Sequence, residues 1–173
     1  IVIAADESFR NVTEALAERY VAHYPETKLH LKFQKEDYAL MDLLKRNVRV
    51  IVMSRELTDR EKKLYEEMVD LPLQPAKFAG DAVVFVVAKN SPRNSISVQE
   101  IKDELQSDEK NVIFDGVNAS NFNFVAQKLN LKPQNIKYSL IKGNKAIVEQ
   151  INKFPNSIGV ISLNTISNPY SRE

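Results

Sequence analysis

Apolar and polar residues along this chain follow two periodicities in turn, and these predict strands and helices in alternating order. Apolar runs or period-two alternation indicate seven strands, at 1–5, 28–33, 48–53, 78–89, 111–114, 136–141 and 157–163. Apolar residues at helical spacing indicate a helix after each of the first six strands; Val12, Leu16 and Tyr20 mark the first of them. Repeated strand–helix order favours mainly parallel sheets with helices on both faces.

Two helix starts carry a specific local signature, the capping box. Thr58 precedes Glu61 by three residues, and Ser97 precedes Glu100 by the same spacing. In this arrangement each side chain accepts a hydrogen bond from the other residue's backbone N–H. Both pairs therefore predict where a helix begins.

The long β-prone run at 78–89 leaves the domain organisation open. Gly80 and Asp81 interrupt this run near its start. A strand of this length could leave one sheet and enter a second, which would give two lobes. The alternative is one continuous doubly wound sheet.

Composition narrows the classes of protein that remain. The 173 residues carry a formal net charge of +1, which argues against a nucleic-acid binder with a basic face. The chain contains no cysteine, which excludes disulfides and cysteine-based metal or redox chemistry. It has four glycines and no glycine-rich phosphate loop, and no run reaches the ~18 apolar residues of a membrane helix. We expect no cofactor.

Candidate chemistry lies at three junctions where a strand gives way to a helix. These are "DESF" at 6–9, "SREL" at 54–57 and "NASN" at 118–121. Ligands of parallel α/β folds collect at such junctions, and helix N-termini favour anions. Taken singly, each junction is explained by ordinary helix capping. Together they offer hydroxyl and amide donors and one arginine, Arg55, whose fork suits oxyanions.

Catalytic or metal-binding patterns are weak. His23 and His30 lack a nearby acid pair or nucleophile motif, and no His, Asp or Glu spacing indicates a metal. The adjacent acids Asp6–Glu7 and Glu36–Asp37 stand at predicted helix starts, where they favour the helix dipole. We therefore expect a binding protein and not an enzyme.

The order of several segments resembles the phosphate-type substrate-binding proteins of ABC transporters, in particular the lipoprotein versions of Bacteroidetes. These segments are "IVIAADESF", "VRVIVMSRELTDRE", "FAGDAVVFVVAKNSP", "VIFDGVNASNFNFV" and "SIGVISLNTIS". The resemblance implies a two-lobed periplasmic-binding-protein fold of the second type, of class α/β and apparently shortened at the C-terminus. It implies a first lobe at 1–80, a second at 81–163, and a return crossover or tail at 164–173.

The resemblance also implies which residues hold an oxyanion. In the first lobe they are Ser8 and Phe9, then Ser54 and Arg55; in the second lobe they are Asn118, Ala119 and Ser120. Better-known members have an aspartate at the place of Arg55, where it accepts the proton of bound hydrogen phosphate. Arginine cannot accept a proton, so the resemblance supports an oxyanion site more strongly than selectivity for phosphate.

The implied function is capture of inorganic phosphate or a similar oxyanion for a membrane permease of an ABC transporter. The implied location is the periplasm or cell envelope, with a lipid anchor on a preceding segment as an option. Two alternatives remain open. One is the ligand-sensing effector module of a regulator with the same fold, and the other is a degenerate member that binds a protein partner.

Overall fold

The computed structural model describes residues 1–167 and divides the chain into two compact units. The first unit is Ile1–Gly80, and the second begins at Asp81. Each unit has its own sheet, of three strands in the first and four in the second. Part of the predicted tail, 168–173, lies outside the described residues.

The first unit alternates strands and helices around a parallel sheet. Its elements are β1 (Val2–Ala5), α1 (Arg10–His23), β2 (His30–Phe33), α2 (Glu36–Leu44), β3 (Val50–Val52) and α3 (Asp59–Met68). The strand order is β2-β1-β3. Ala4 of β1 pairs with Lys32 of β2 on one side and with Ile51 of β3 on the other. The central strand is therefore the first one in the chain.

The core of the first unit lies mainly between the sheet and helices α2 and α3. Its buried members are Ala4, Ala39, Leu40, Leu43, Val48, Tyr65 and Val69. Helix α1 contributes little, because Thr13 is its one buried residue. The helical spacing of Leu16 and Tyr20 predicted this helix correctly, yet these side chains are 42% and 46% exposed.

The second unit has a mixed sheet. Its elements are β4 (Val83–Val87), α4 (Val98–Glu104), β5 (Val112–Phe114), α5 (Ser120–Lys128), β6 (Ser139–Leu140), α6 (Asn144–Gln150) and β7 (Ile158–Ser162). The strand order is β4-β7-β5-β6. β4 runs antiparallel to β7, whereas β5 is parallel to both of its neighbours. The strand predicted at 136–141 is much shorter, because the Lys137 N–H donates to the carbonyl of Leu105 and not to a sheet neighbour.

Every residue of β5 is buried, and aromatic rings pack beside it. The ring of Phe114 lies 5.2 Å from that of Phe122 and 5.9 Å from that of Tyr138, both in edge-to-face geometry. On the neighbouring strand β7, a Cβ at Gly159 would approach Ile147 Cγ2 to 2.6 Å. Glycine is therefore the residue that allows α6 to pack closely on this strand.

Both predicted capping boxes are confirmed. The Thr58 N–H donates to Glu61 Oε2 at 2.7 Å, and the Glu61 N–H donates to Thr58 Oγ1 at 3.3 Å. Ser97 and Glu100 make the same pair of bonds at the start of α4. Local sequence alone thus determines where α3 and α4 begin.

Candidate functional site

The polar residues of the first unit gather at one edge of its sheet. Asp6 directly follows β1, Glu36 begins α2 after β2, and Ser54 and Arg55 follow β3. Because the three strands are parallel, their carboxyl ends meet at the same edge. This is the edge where ligands of parallel α/β sheets bind.

Asp6 connects two of these loops. It is fully buried, and its Oδ1 accepts a hydrogen bond from the Ser8 N–H at 2.9 Å. Its Oδ2 accepts the N–H of Glu36, also at 2.9 Å, and its carbonyl accepts the N–H of Phe9. Ser8 and Phe9 are predicted to hold an oxyanion, and their backbone N–H groups here donate to Asp6.

Glu36 makes the corresponding connection to the loop after β3. Its side chain is fully buried, and its Oε2 accepts both the N–H and the hydroxyl of Ser54 at 2.9 Å. Its Oε1 accepts the Nε–H of Arg55 at 3.0 Å. A carboxylate of this chain is thus bonded to both donors of Ser54 and to one donor of Arg55.

Arg55 is held by a second carboxylate. Its Nη1 and Nη2 donate to the two oxygens of Glu61, at 2.8 and 2.9 Å, in the bidentate geometry that a guanidinium fork favours. The Arg55 side chain is only 7% exposed. Because Glu61 is also the capping-box residue of α3, Arg55 fastens the loop after β3 to the start of that helix.

The titration behaviour of the pair follows from these contacts. Burial lowers the pKa of Arg55, but the hydrogen bond with Glu61 and the charges of Glu36, Glu61 and Asp37 outweigh it, so the pKa is raised. Burial raises the pKa of Glu61, but its hydrogen bonds with Arg55 and Thr58 outweigh that effect, so the pKa is lowered. Both groups are therefore charged at neutral pH.

In the second unit, five polar residues near strand ends and helix starts are buried. They are Asp115, Ser120, Asn121, Asn144 and Ser162. Asp115 directly follows β5 and Ser162 ends β7, and these strands are parallel. The Asn121 Nδ2–H donates to Asn144 Oδ1 at 2.7 Å, which joins the first turns of α5 and α6.

The predicted residues of the second unit lie at this helix start. Ala119 is the N-cap of α5, Ser120 is the first helical residue, and Asn118 precedes them. Ala119 and Ser120 are buried and Asn118 is half-buried. Capping by the side chain of Asn118 or Ser120 was the plain alternative; the N-cap is instead alanine, which has no polar side chain.

The structure brings together Ser8, Ser54 and Arg55 within the first unit, and Asn118, Ala119 and Ser120 within the second. Phe9 is the half-buried N-cap of α1. Sequence reasoning missed Asp6 and Glu36 as members of the site. The available signal was their position, since each acid follows a strand whose carboxyl end lies at the same sheet edge.

Within residues 1–167, no cluster of three or more His, Cys, Asp or Glu side chains is arranged to hold a metal ion. None of the helices in the same range combines the length and apolar character needed to cross a membrane.

The family of this chain is shown by its match to a known family model. A family model described as a PBP superfamily domain matches residues 1–173. The chain belongs to the PBP superfamily. The predicted α/β periplasmic-binding-protein fold and the family resemblance are thereby confirmed. Among curated proteins, none matches this chain.

Solved structures agree with this PBP superfamily assignment. A putative phosphate ABC transporter substrate-binding protein with bound phosphate, from Clostridium perfringens, matches with a TM-score of 0.80 and 18% identity, covering 95% of this chain and 70% of that one. An ABC-type phosphate transport receptor from Vibrio cholerae gives 0.73 and 16%, covering 97% and 73%. The CcmR regulatory domain from Synechocystis gives 0.61 and 13%, covering 99% and 76%. At these identities the likeness concerns the fold.

Proposed function

We propose that this chain is the substrate-binding protein of an ABC transporter and captures inorganic phosphate or a similar oxyanion. The observation that carries the proposal is the likeness to the phosphate-bound Clostridium perfringens protein, which extends over 95% of this chain. Membership of the PBP superfamily supports it, because this is a class of ligand-binding domains. The partner would be a membrane permease, and the location the periplasm or cell envelope, with a lipid anchor as an option.

The residues proposed to bind the oxyanion supply neutral hydrogen-bond donors and one cation. In the first unit they are Ser8, Phe9, Ser54 and Arg55, and in the second they are Asn118, Ala119 and Ser120. The N-terminal turn of α5 is suited to an anion, because backbone N–H groups and the helix dipole point in the same direction there. The proposed role is binding, without catalysis.

Isothermal titration calorimetry of the chain with phosphate, and separately with sulfate, tests the proposal. We expect saturable binding of at least one of these anions. Replacing Ser120 by alanine should weaken binding, because a buried hydroxyl at the helix start is lost. Ser95, which is exposed in the segment between β4 and α4, provides the matched serine-to-alanine control. No saturable heat with either anion would contradict the proposal.

A second candidate is the effector module of a regulator, favoured by the likeness to the CcmR regulatory domain. Isothermal titration calorimetry also distinguishes the transport function from the effector module. Binding of a larger organic anion, with no binding of inorganic phosphate or sulfate, would favour the effector module. A chain that binds neither kind of anion would favour the degenerate member, whose ligand is a protein.

A further inference from the structure

The donors at the sheet edge of the first unit are bonded to carboxylates of the same chain. Ser54 gives its N–H and its hydroxyl to Glu36, and Arg55 gives its Nε–H to the same carboxylate. These donor types, a backbone N–H, a hydroxyl and a guanidinium, are those that bind an oxyanion in proteins. The Glu36 carboxylate therefore accepts hydrogen bonds from a set of donors that would also suit an external anion.

The charged groups at this sheet edge also indicate that Glu36 and an external anion would compete for the same donors. The Arg55 guanidinium is paired with two carboxylates, those of Glu36 and Glu61, and the buried carboxylate of Asp6 lies at the same sheet edge. An anion arriving with Glu36 in place would add like charge at a buried edge, where electrostatic repulsion is poorly screened. An oxyanion can accept hydrogen bonds from Ser54 only when the Glu36 carboxylate no longer accepts them.

The backbone around Glu36 allows such an exchange. Asp6 Oδ2 accepts the backbone N–H of Glu36, so the start of α2 is fixed independently of the Glu36 side chain. The side chain itself has three rotatable bonds. The movement that would release Ser54 is therefore a change of the Glu36 rotamer, with the helix kept in place.

We propose that Glu36 is an internal competitor for the oxyanion, and that it limits the affinity of the first unit. This inference rests on the proposed function, because it concerns the same site. When a binding-competent state is populated only in part, the apparent affinity falls by that fraction. The state with Glu36 displaced is the competent one here.

The experiment compares Glu36→Gln with the wild-type chain, using inorganic phosphate and sulfate in calorimetry. Glutamine keeps the size of the side chain but removes the charge, so its hydrogen bonds to Ser54 and Arg55 become weaker. We expect Glu36→Gln to bind at least one anion about tenfold more tightly than wild type. Glu67→Gln is the matched control, because Glu67 is exposed on α3 and its change alters the net charge equally. Its affinity should equal that of wild type.

The outcomes separate this inference from the proposed function. Wild-type binding that Glu36→Gln leaves unchanged or weakens would overturn the inference alone. Binding by Glu36→Gln but not by wild type would support the inference and contradict the proposed function for the natural chain. Absence of binding in both would overturn both.

Folding of the variant is itself informative. Circular dichroism and thermal unfolding of Glu36→Gln, and of Glu36→Ser as a second variant, establish whether an ionised Glu36 is needed for the fold. If neither variant folds, Glu36 is a structural requirement and not a displaceable competitor, which overturns the inference.

Discussion

Arg55 offers a test of the ion-pair network at the first sheet edge. Replacing Arg55 by alanine would remove one hydrogen bond to Glu36, two to Glu61 and one to the carbonyl of Glu56. Glu36 is fully buried, and its charge would lose the guanidinium that pairs with it. Removing one partner of a buried pair costs about 3–5 kcal/mol. We expect a value near ~3 kcal/mol, because Glu36 keeps its two bonds from Ser54 and Glu61 keeps those within its capping box.

Urea unfolding followed by circular dichroism measures this loss. With an m-value of about 2 kcal/mol/M, a loss of ~3 kcal/mol lowers the midpoint by about 1.5 M. Arg60→Ala is the control, because Arg60 is exposed in the first turn of the same helix. Its effect should stay within about 0.5 kcal/mol.

The double variant Glu36→Gln with Arg55→Ala makes the test sharper. It removes the buried charge along with its partner, so its loss should be smaller than the sum of the two single losses. A midpoint for Arg55→Ala indistinguishable from that of Arg60→Ala would refute the reasoning. Arg55 would then be held too weakly for its contacts to matter for folding.

Three further predictions concern packing, pH and a buried amide pair. Gly159→Ala should cost about 1–3 kcal/mol in urea unfolding, because the new methyl would overlap buried side chains, whereas Gly80→Ala, with nothing within 4 Å, should be neutral. The lowered pKa of Glu61 means that its charge stabilises the fold above its ordinary value of 4.5 and that this contribution is lost as pH falls through the lowered pKa. Wild type should therefore lose melting temperature more steeply below pH 4.5 than Glu61→Gln, and equal slopes would contradict this. Asn121→Ala should cost about 1 kcal/mol in urea unfolding, through loss of its bond to Asn144; an unchanged midpoint would show that this bond is dispensable.

Short-range patterns were enough to predict the elements of this fold. Each predicted strand and helix is present, although the periodic residues Leu16 and Tyr20 of α1 are exposed and do not face the core. The relation of Thr58 to Glu61 could also be predicted, since a capping box spans only four consecutive residues. β6 was predicted too long because Lys137 finds its backbone partner outside the sheet, and no local pattern indicates that partner.

The contacts of Glu36 could not be predicted in the same way. A glutamate at a helix start is ordinarily explained by the helix dipole, and Glu36 does stand in the first turn of α2. Its carboxylate, however, bonds Ser54, which lies 18 residues away and follows a strand on the other side of β1. Only the order of the strands brings these loops together, and that order is a property of the tertiary fold.

The position of β7 has a consequence for how this protein is made. β7 follows the other described strands in sequence, yet it lies inside the second sheet and is the sheet partner of both β4 and β5. On a ribosome, Val83 of β4 emerges 79 positions before its sheet partner Ser162 of β7. The three described strands of the first unit, by contrast, have all emerged once Val52 has left the ribosome. During synthesis, β4 and β5 must therefore wait for β7, and this interval is when the second unit is most open to aggregation or to a chaperone.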